Sequence, residues 1–252
     1  MIVLNRVGAG YDGEMRIRGI SAELVPGKMT GIVGPNGCGK STLLKTITGI
    51  LAPMAGHIAL SGRDLSRMPT RERARRIAFM PQSRSAPELT VQQLAAHGRY
   101  PHMGARRTLS ADDRAIVERA LTQAGALALR GQLVSRLSGG ERQRAYLAML
   151  LAQDTPYLLL DEPTTSLDPS GQFELMALLR TLADEGRAVA LVIHDLPLAL
   201  SGCDELWVME KGRLAARGVP DALIRNGTLE EIFRVRLVPA GNGLYAMAGA
   251  PK

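Results

Sequence analysis

The sequence predicts an α/β fold: a mainly parallel sheet flanked by helices, with an antiparallel β part ahead of it and an α-helical subdomain inserted into it. Three observations carry that prediction. The apolar stretch Thr30-Gly31-Ile32-Val33 runs into a glycine-rich loop, and Lys40–Ile47 follows as a helical segment ending near Gly49. Tyr157–Leu160 and residues 189–193 are short, wholly apolar runs separated by a helical segment over 169–182, the pattern of parallel strands buried on both faces. Between these halves, from Pro87 to Gln153, the periodicity is helical.

In chain order, residues 2–4 and 15–24 read as strands, with turns at Gly8-Ala9-Gly10 and Pro26-Gly27. The insert reads as helices over Val91–His97, over 111–125 behind the N-cap Ser110, and over 141–153. Beyond Val219 the pattern is mixed, with short helices over 220–224 and Thr228–Phe233. The expected division is a main domain over 1–218, its core formed by 1–86 and 154–218 and its helical subdomain by 87–153, then a C-terminal extension over 219–252.

Composition narrows the function classes. A chain of 252 residues that is 46% hydrophobic can bury a substantial core. No run approaches the roughly 20 apolar residues that cross a bilayer. The richest stretch, Ala145 to Leu160, is broken by Gln153, Asp154 and Pro156. The N-terminus lacks a basic segment followed by a long apolar one, so the expected location is cytosolic. Cys38 and Cys203 form neither a disulfide framework nor a metal-ligand spacing. The net charge of +7 is dispersed, its densest cluster being Arg71, Arg73, Arg75 and Arg76. With only 4% aromatics, the basic-plus-stacking pattern of single-strand binders is missing, and no nucleic-acid partner is expected.

The chemistry begins with Gly34-Pro35-Asn36-Gly37-Cys38-Gly39-Lys40-Ser41-Thr42, which fits G-x-x-x-x-G-K-[ST]. Glycines let consecutive backbone N–H groups point at an anion, the lysine reaches the outer phosphates, and the hydroxyl reaches Mg²⁺. Leu137-Ser138-Gly139-Gly140-Glu141, just before a helical stretch, offers a second phosphate cap at a helix start. One triphosphate does not need two caps from one chain, so a second copy is expected to share the site. Asp161 and Glu162 close a buried strand. Asp161 is placed to hold Mg²⁺ through its water shell and Glu162 to polarise the attacking water.

The ordered set Gly34 to Thr42, Gln82, Leu137 to Gln143, Leu158 to Glu162, Ser166-Leu167-Asp168 and His194 resembles the ATP-binding subunit of an ATP-binding-cassette transporter, over nearly the whole chain from Tyr11 to Gly218. The resemblance implies a phosphate-loop nucleoside triphosphatase core, ATP and Mg²⁺ as cofactors, and a head-to-tail dimer around two ATP molecules. It also implies that Tyr11 stacks on adenine, that Ser41 and Gln82 complete the Mg²⁺ shell, that His194 bonds the γ-phosphate and attacking water, and that Asp168 couples the two sites. As partners it implies transmembrane permease subunits and, indirectly, a periplasmic or extracellular substrate-binding protein, with this subunit peripheral on the cytoplasmic membrane face. Thr90 to Leu94, Gly98 to His102, Leu109 to Asp113 and Ala148 to Pro156 are similar to importers of iron-siderophore, haem and cobalamin complexes.

Each residue also has a structural reading. Tyr11 fits a turn tyrosine, Gln82 a loop amide, His194 a strand-end histidine, and Ser138 with Glu141 a capping box. His57, His97 and His102 lack metal-like spacing and read as surface or packing residues. Two positions depart from the importer subfamily: Ser166 where Tyr is expected, and Pro197 where Asn is expected, the latter tolerable at a helix start. The alternatives are an ATPase of the same superfamily working on DNA, ribosomes or iron-sulfur assembly without a membrane partner, and a phosphate-loop kinase. The kinase leaves Leu137 to Glu141 without a purpose.

Overall fold

The structure is a computed structural model and describes residues 1–83, 85–104, 108–241 and 244–249. The chain forms two compact units, one from Met1–Met68 with Leu179–Lys252 and the other from Pro69–Leu178.

The first unit opens with β1 (Ile2–Tyr11), β2 (Glu14–Leu24), β3 (Met29–Val33), α1 (Lys40–Ile47), β4 (Ala55–Leu60) and β5 (Arg63–Asp64). Four of these make an antiparallel sheet in the order β2-β1-β4-β5. The turn expected at Gly8-Ala9-Gly10 is instead continuous strand. Register shifts between Leu4 and Gly10 take up the irregularity, so Val7 and Ala9 stay buried. The chain reverses at Asp12-Gly13, where both φ values are positive, 53° and 81°. That is the geometry of a two-residue hairpin whose twist matches its strands.

The second unit contains α2 (Thr70–Ala74), β6 (Ile77–Met80), α3 (Val91–His97), α4 (Ala111–Gln123), α5 (Gly139–Ala152), β7 (Tyr157–Leu160) and the start of α6 (Pro169–Asp184). β6 and β7 pair in parallel, Ile77 with Tyr157 through Met80 with Leu160. α3, α4 and α5 pack on one another through Val91, Leu94, Val117, Leu121, Leu147 and Leu151, all buried. Ser110 caps α4 in a full box with Asp113. Asp113 also pairs with the buried Arg99 at 2.8 Å, and Arg99 donates to Ala152 O at 2.9 Å, so one guanidinium ties α4 to the end of α5. Gln153 continues the brace, its amide donating to Ala74 O at 2.6 Å and Ile77 O at 3.0 Å.

Returning to the first unit, the chain adds β8 (Ala188–Val192), α7 (Leu196–Gly202), β9 (Glu205–Glu210), β10 (Arg213–Gly218), α8 (Pro220–Arg225), α9 (Thr228–Phe233), β11 (Val235–Gly241) and β12 (Leu244–Gly249). β3 lies between β8 and β9, parallel to both, and β10 is antiparallel to β9. β3 and β8 are buried at every residue, as their uninterrupted apolar sequence requires. The two short helices of the tail form as expected, while the hairpin β11–β12 carries no turn or alternation signal strong enough to have announced it. β12 packs on α7. Among the described residues, no helix is long and apolar enough to cross a membrane.

Candidate functional site

In the first unit, β3 delivers the chain into the glycine loop at the carboxyl edge of its strands, where α/β sheets place their ligands. Gly39 is the N-cap of α1 at φ 103°, left-handed, with no side-chain hydrogen bond to the helix start and no acidic residue in the first turn. A Cβ on Gly39 would stand 2.5 Å from Ile17 Cγ2, and one on Gly34 would stand 2.2 Å from Met209 O. Both positions therefore exclude a side chain by space as well as by φ. The nearly buried Lys40 bends its ammonium back over the loop, donating to Gly34 O at 2.8 Å and Pro35 O at 3.1 Å. An uncapped, acid-free helix start beneath a folded-back lysine fits a polyphosphate. Cys38, inside the loop, is buried, and burial holds its thiol above the ordinary range although the nearby Lys40 acts in the opposite sense. It is a packing residue rather than a nucleophile.

His194 belongs to the same sheet edge. Ile193 N–H donates to Ile32 O at 3.2 Å, prolonging the β8–β3 pairing and leaving the exposed His194 just past the strand end. Asp195 then caps α7 by accepting from Leu198 N–H at 2.9 Å, and Pro197 lies in the first turn, where its missing N–H costs no helix bond. Tyr11 ends β1 opposite Glu14 and is 42% exposed, so an aromatic face is available to stack against.

In the second unit, Asp161 follows β7 and is 2% exposed, its N–H bonded to Met80 O at 2.8 Å. Glu162 has φ 51°, an uncommon backbone for a residue with a side chain. Its Oε2 accepts from Gln82 Nε2 at 2.6 Å and from Thr165 Oγ1 at 3.3 Å. Gln82, expected as a metal ligand, is thus brought to Glu162, and Thr165 joins them without having been singled out by any motif. In this unit the side-chain oxygens of Gln82 and Asp161 are hard donors of the kind Mg²⁺ takes beside phosphate and water, and the Ser41 hydroxyl of the first unit is of the same chemical type. The described residues contain no cluster of three or more His, Cys, Asp or Glu that could hold a metal.

Ser138 caps α5, accepting from Glu141 N–H at 3.4 Å, while Glu141 Oε2 accepts from Ser138 N–H at 2.9 Å and Oγ–H at 2.7 Å. The Ser138 hydroxyl, and then its N–H, hold the Glu141 carboxyl below the usual range. Beside this cap lies the 166–168 loop: a Cβ on Gly139 would be in ordinary contact with Ser166, at 3.6 Å from its Cβ. Asp168 accepts from Gly171 N–H at 2.9 Å, and Gln172, a residue the sequence did not mark, reaches Thr164 O at 3.3 Å and Leu167 O at 3.4 Å.

The ABC transporter family profile matches residues 17–165. The chain is 40% identical to the ferric enterobactin transport ATP-binding protein FepC of Escherichia coli (strain K12), over 90% of this chain and 84% of that protein. It is 43% identical to the hemin import ATP-binding protein HmuV of Pseudomonas entomophila (strain L48), over 86% of each. Its fold is similar to a dimeric structure of a bacterial ABC transporter cassette, with a TM-score of 0.79 and 25% identity, covering 87% of this chain and 99% of that one.

Proposed function

This chain belongs to the ABC transporter family as an ATP-hydrolysing subunit that works with ATP and Mg²⁺, and from that premise we propose that two copies close head to tail around two ATP molecules to drive a separate membrane permease. In each site the loop amides from Gly34 to Thr42 and Lys40 hold the phosphates of one ATP, and Tyr11 stacks on its adenine. Ser138-Gly139-Gly140 and Glu141 of the second copy meet the same triphosphate from the other side. Ser41, Gln82 and Asp161 hold Mg²⁺, which neutralises charge on the outer phosphates when bound.

Glu162 orients a water whose oxygen attacks the γ-phosphorus. The bond from that phosphorus to the bridging oxygen breaks, and ADP and inorganic phosphate are the products. Lys40 and His194 stabilise charge on the transferred phosphoryl group. Losing the γ-phosphate removes what both copies grip, so the pair opens, and Asp168 links the two sites. Such a bistable dimer delivers a conformational change to whatever is docked on it. The observation that carries this reading is the pairing of an uncapped, acid-free helix start at Gly39 with a second glycine-led helix start at Ser138.

The import of a metal chelate, a ferric siderophore or haem among them, is supported by relatives named for ferric enterobactin transport and hemin import. The subunit then works peripherally, on the cytoplasmic face of the membrane, beside its permease and indirectly with a substrate-binding protein. The test is to tag the chain in its own cell, solubilise membranes gently and identify what co-purifies. A multi-span permease in near-equal amount is expected; recovery with soluble assembly or nucleic-acid proteins alone would overturn the transport assignment.

A further inference from the structure

A cleft of about 730 Å³ borders the phosphate loop on a side that none of the roles above uses. Its walls are Pro35, Glu210 and Lys211 in the β9–β10 turn, and Glu231, Phe233 and Arg234 at the end of α9. Helix α9 of the C-terminal segment, which the motifs leave without a role, therefore ends beside the loop that starts α1. Lys211 pairs with Glu210 at 3.6 Å, and Glu230 accepts from Leu237 N–H at 2.7 Å, which fixes α9 to the strand after it. Glu231, exposed and next in sequence, makes no side-chain hydrogen bond or ion pair among the described residues. In the other unit, Arg136 stands two residues before Ser138, is exposed, and likewise has no side-chain partner among the described residues.

We propose that the C-terminal segment is part of the contact between copies, with Glu231 beside the phosphate loop of one copy pairing with Arg136 beside the Ser138 cap of the second. This rests on the head-to-tail reading: whatever brings Ser138 of the second copy to the phosphate loop brings Arg136 with it. An unpartnered cation then arrives at a cleft edged by the unpartnered carboxylate of Glu231 and, three residues on, by the guanidinium of Arg234, with Pro35 and Phe233 as apolar wall. The contact occurs twice in a two-fold dimer, so a modest ion pair counts double. The pair steers the correct face of the second copy onto the nucleotide, a task for which complementary charge is better suited than bulk affinity.

The test is sedimentation equilibrium of the full chain carrying Glu162→Gln, in ATP and Mg²⁺. Glu231→Arg and Arg136→Glu, each added to that background, are expected to weaken dimerisation by about tenfold, while the double reversal restores it to within about threefold. Fluorescent ATP-analogue binding by the isolated Glu231→Arg monomer should stay unchanged. If Glu162→Gln dimerises and neither reversal alters the dimer constant, or the double reversal fails to restore it, the contact is excluded while the sandwich stands. If Glu162→Gln alone remains monomeric in ATP, the sandwich falls and the contact with it.

Discussion

At the start of α1 the cap is Gly39 in a left-handed backbone, with no side chain bonded to the helix and no acid in the first turn. At the start of α5, Ser138 and Glu141 close a complete capping box, each satisfying an N–H of the other. Both are glycine-led helix starts able to face a phosphate, yet they balance their free polar groups differently. The first has no side chain on its donors, and Lys40 donates to the loop carbonyls of Gly34 and Pro35. The second is complete without a ligand. The proposed roles, a primary site at Gly39 and a cap at Ser138 that engages the γ-phosphate of a second copy, call for that difference.

The contrast breaks most visibly at Lys40. Lys40→Ala removes the one buried cation of the loop, and ATP turnover is expected to fall by about 10²-fold or more, read as phosphate release, with little change in melting temperature. Next comes Gly39→Ala, which forces a Cβ into a φ of 103° and to within 2.5 Å of Ile17. Backbone strain of this kind costs on the order of 1–3 kcal/mol, so both the melting temperature and ATP-analogue binding should drop. Ser138→Ala takes away only a cap, and thermal unfolding should show a loss of about 1 kcal/mol, with ATP binding by the isolated chain intact. The smallest effect belongs to Glu141. Because its folded carboxyl is held low, its contribution is present above the unfolded value of about 4.3 and is lost as pH falls through the lower folded value. Glu141→Gln should flatten the acid side of the melting-temperature profile slightly, since water screens the group; an unchanged profile would mean that the box adds nothing in solution.

The sequence announced the phosphate loop and the Ser138 cap equally well, because both are short local patterns whose chemistry depends on neighbours in the chain. The parallel strands were legible for the same reason, being uninterrupted apolar runs. β1 was cut short because glycines at 8 and 10 look like a turn, although pairing with strands on both sides holds the backbone extended there. The β9–β10 and β11–β12 hairpins were missed because Lys211-Gly212 and the mixed tail give weak turn signals, and cross-strand pairing decides them. The hydrogen bond from Gln82 to Glu162 joins residues 80 positions apart and could not be read from either motif. Gln172 was invisible in the same way: a glutamine in the first turns of a helix says nothing about the loop carbonyls it will reach.

The most direct measurement is the mass of the Glu162→Gln chain in solution, with and without ATP and Mg²⁺. A dimer that forms only with ATP and decays when the nucleotide is exchanged for ADP is the predicted result. A monomer under both conditions would contradict the claim that the open cap of one copy and the closed cap of another share a single triphosphate.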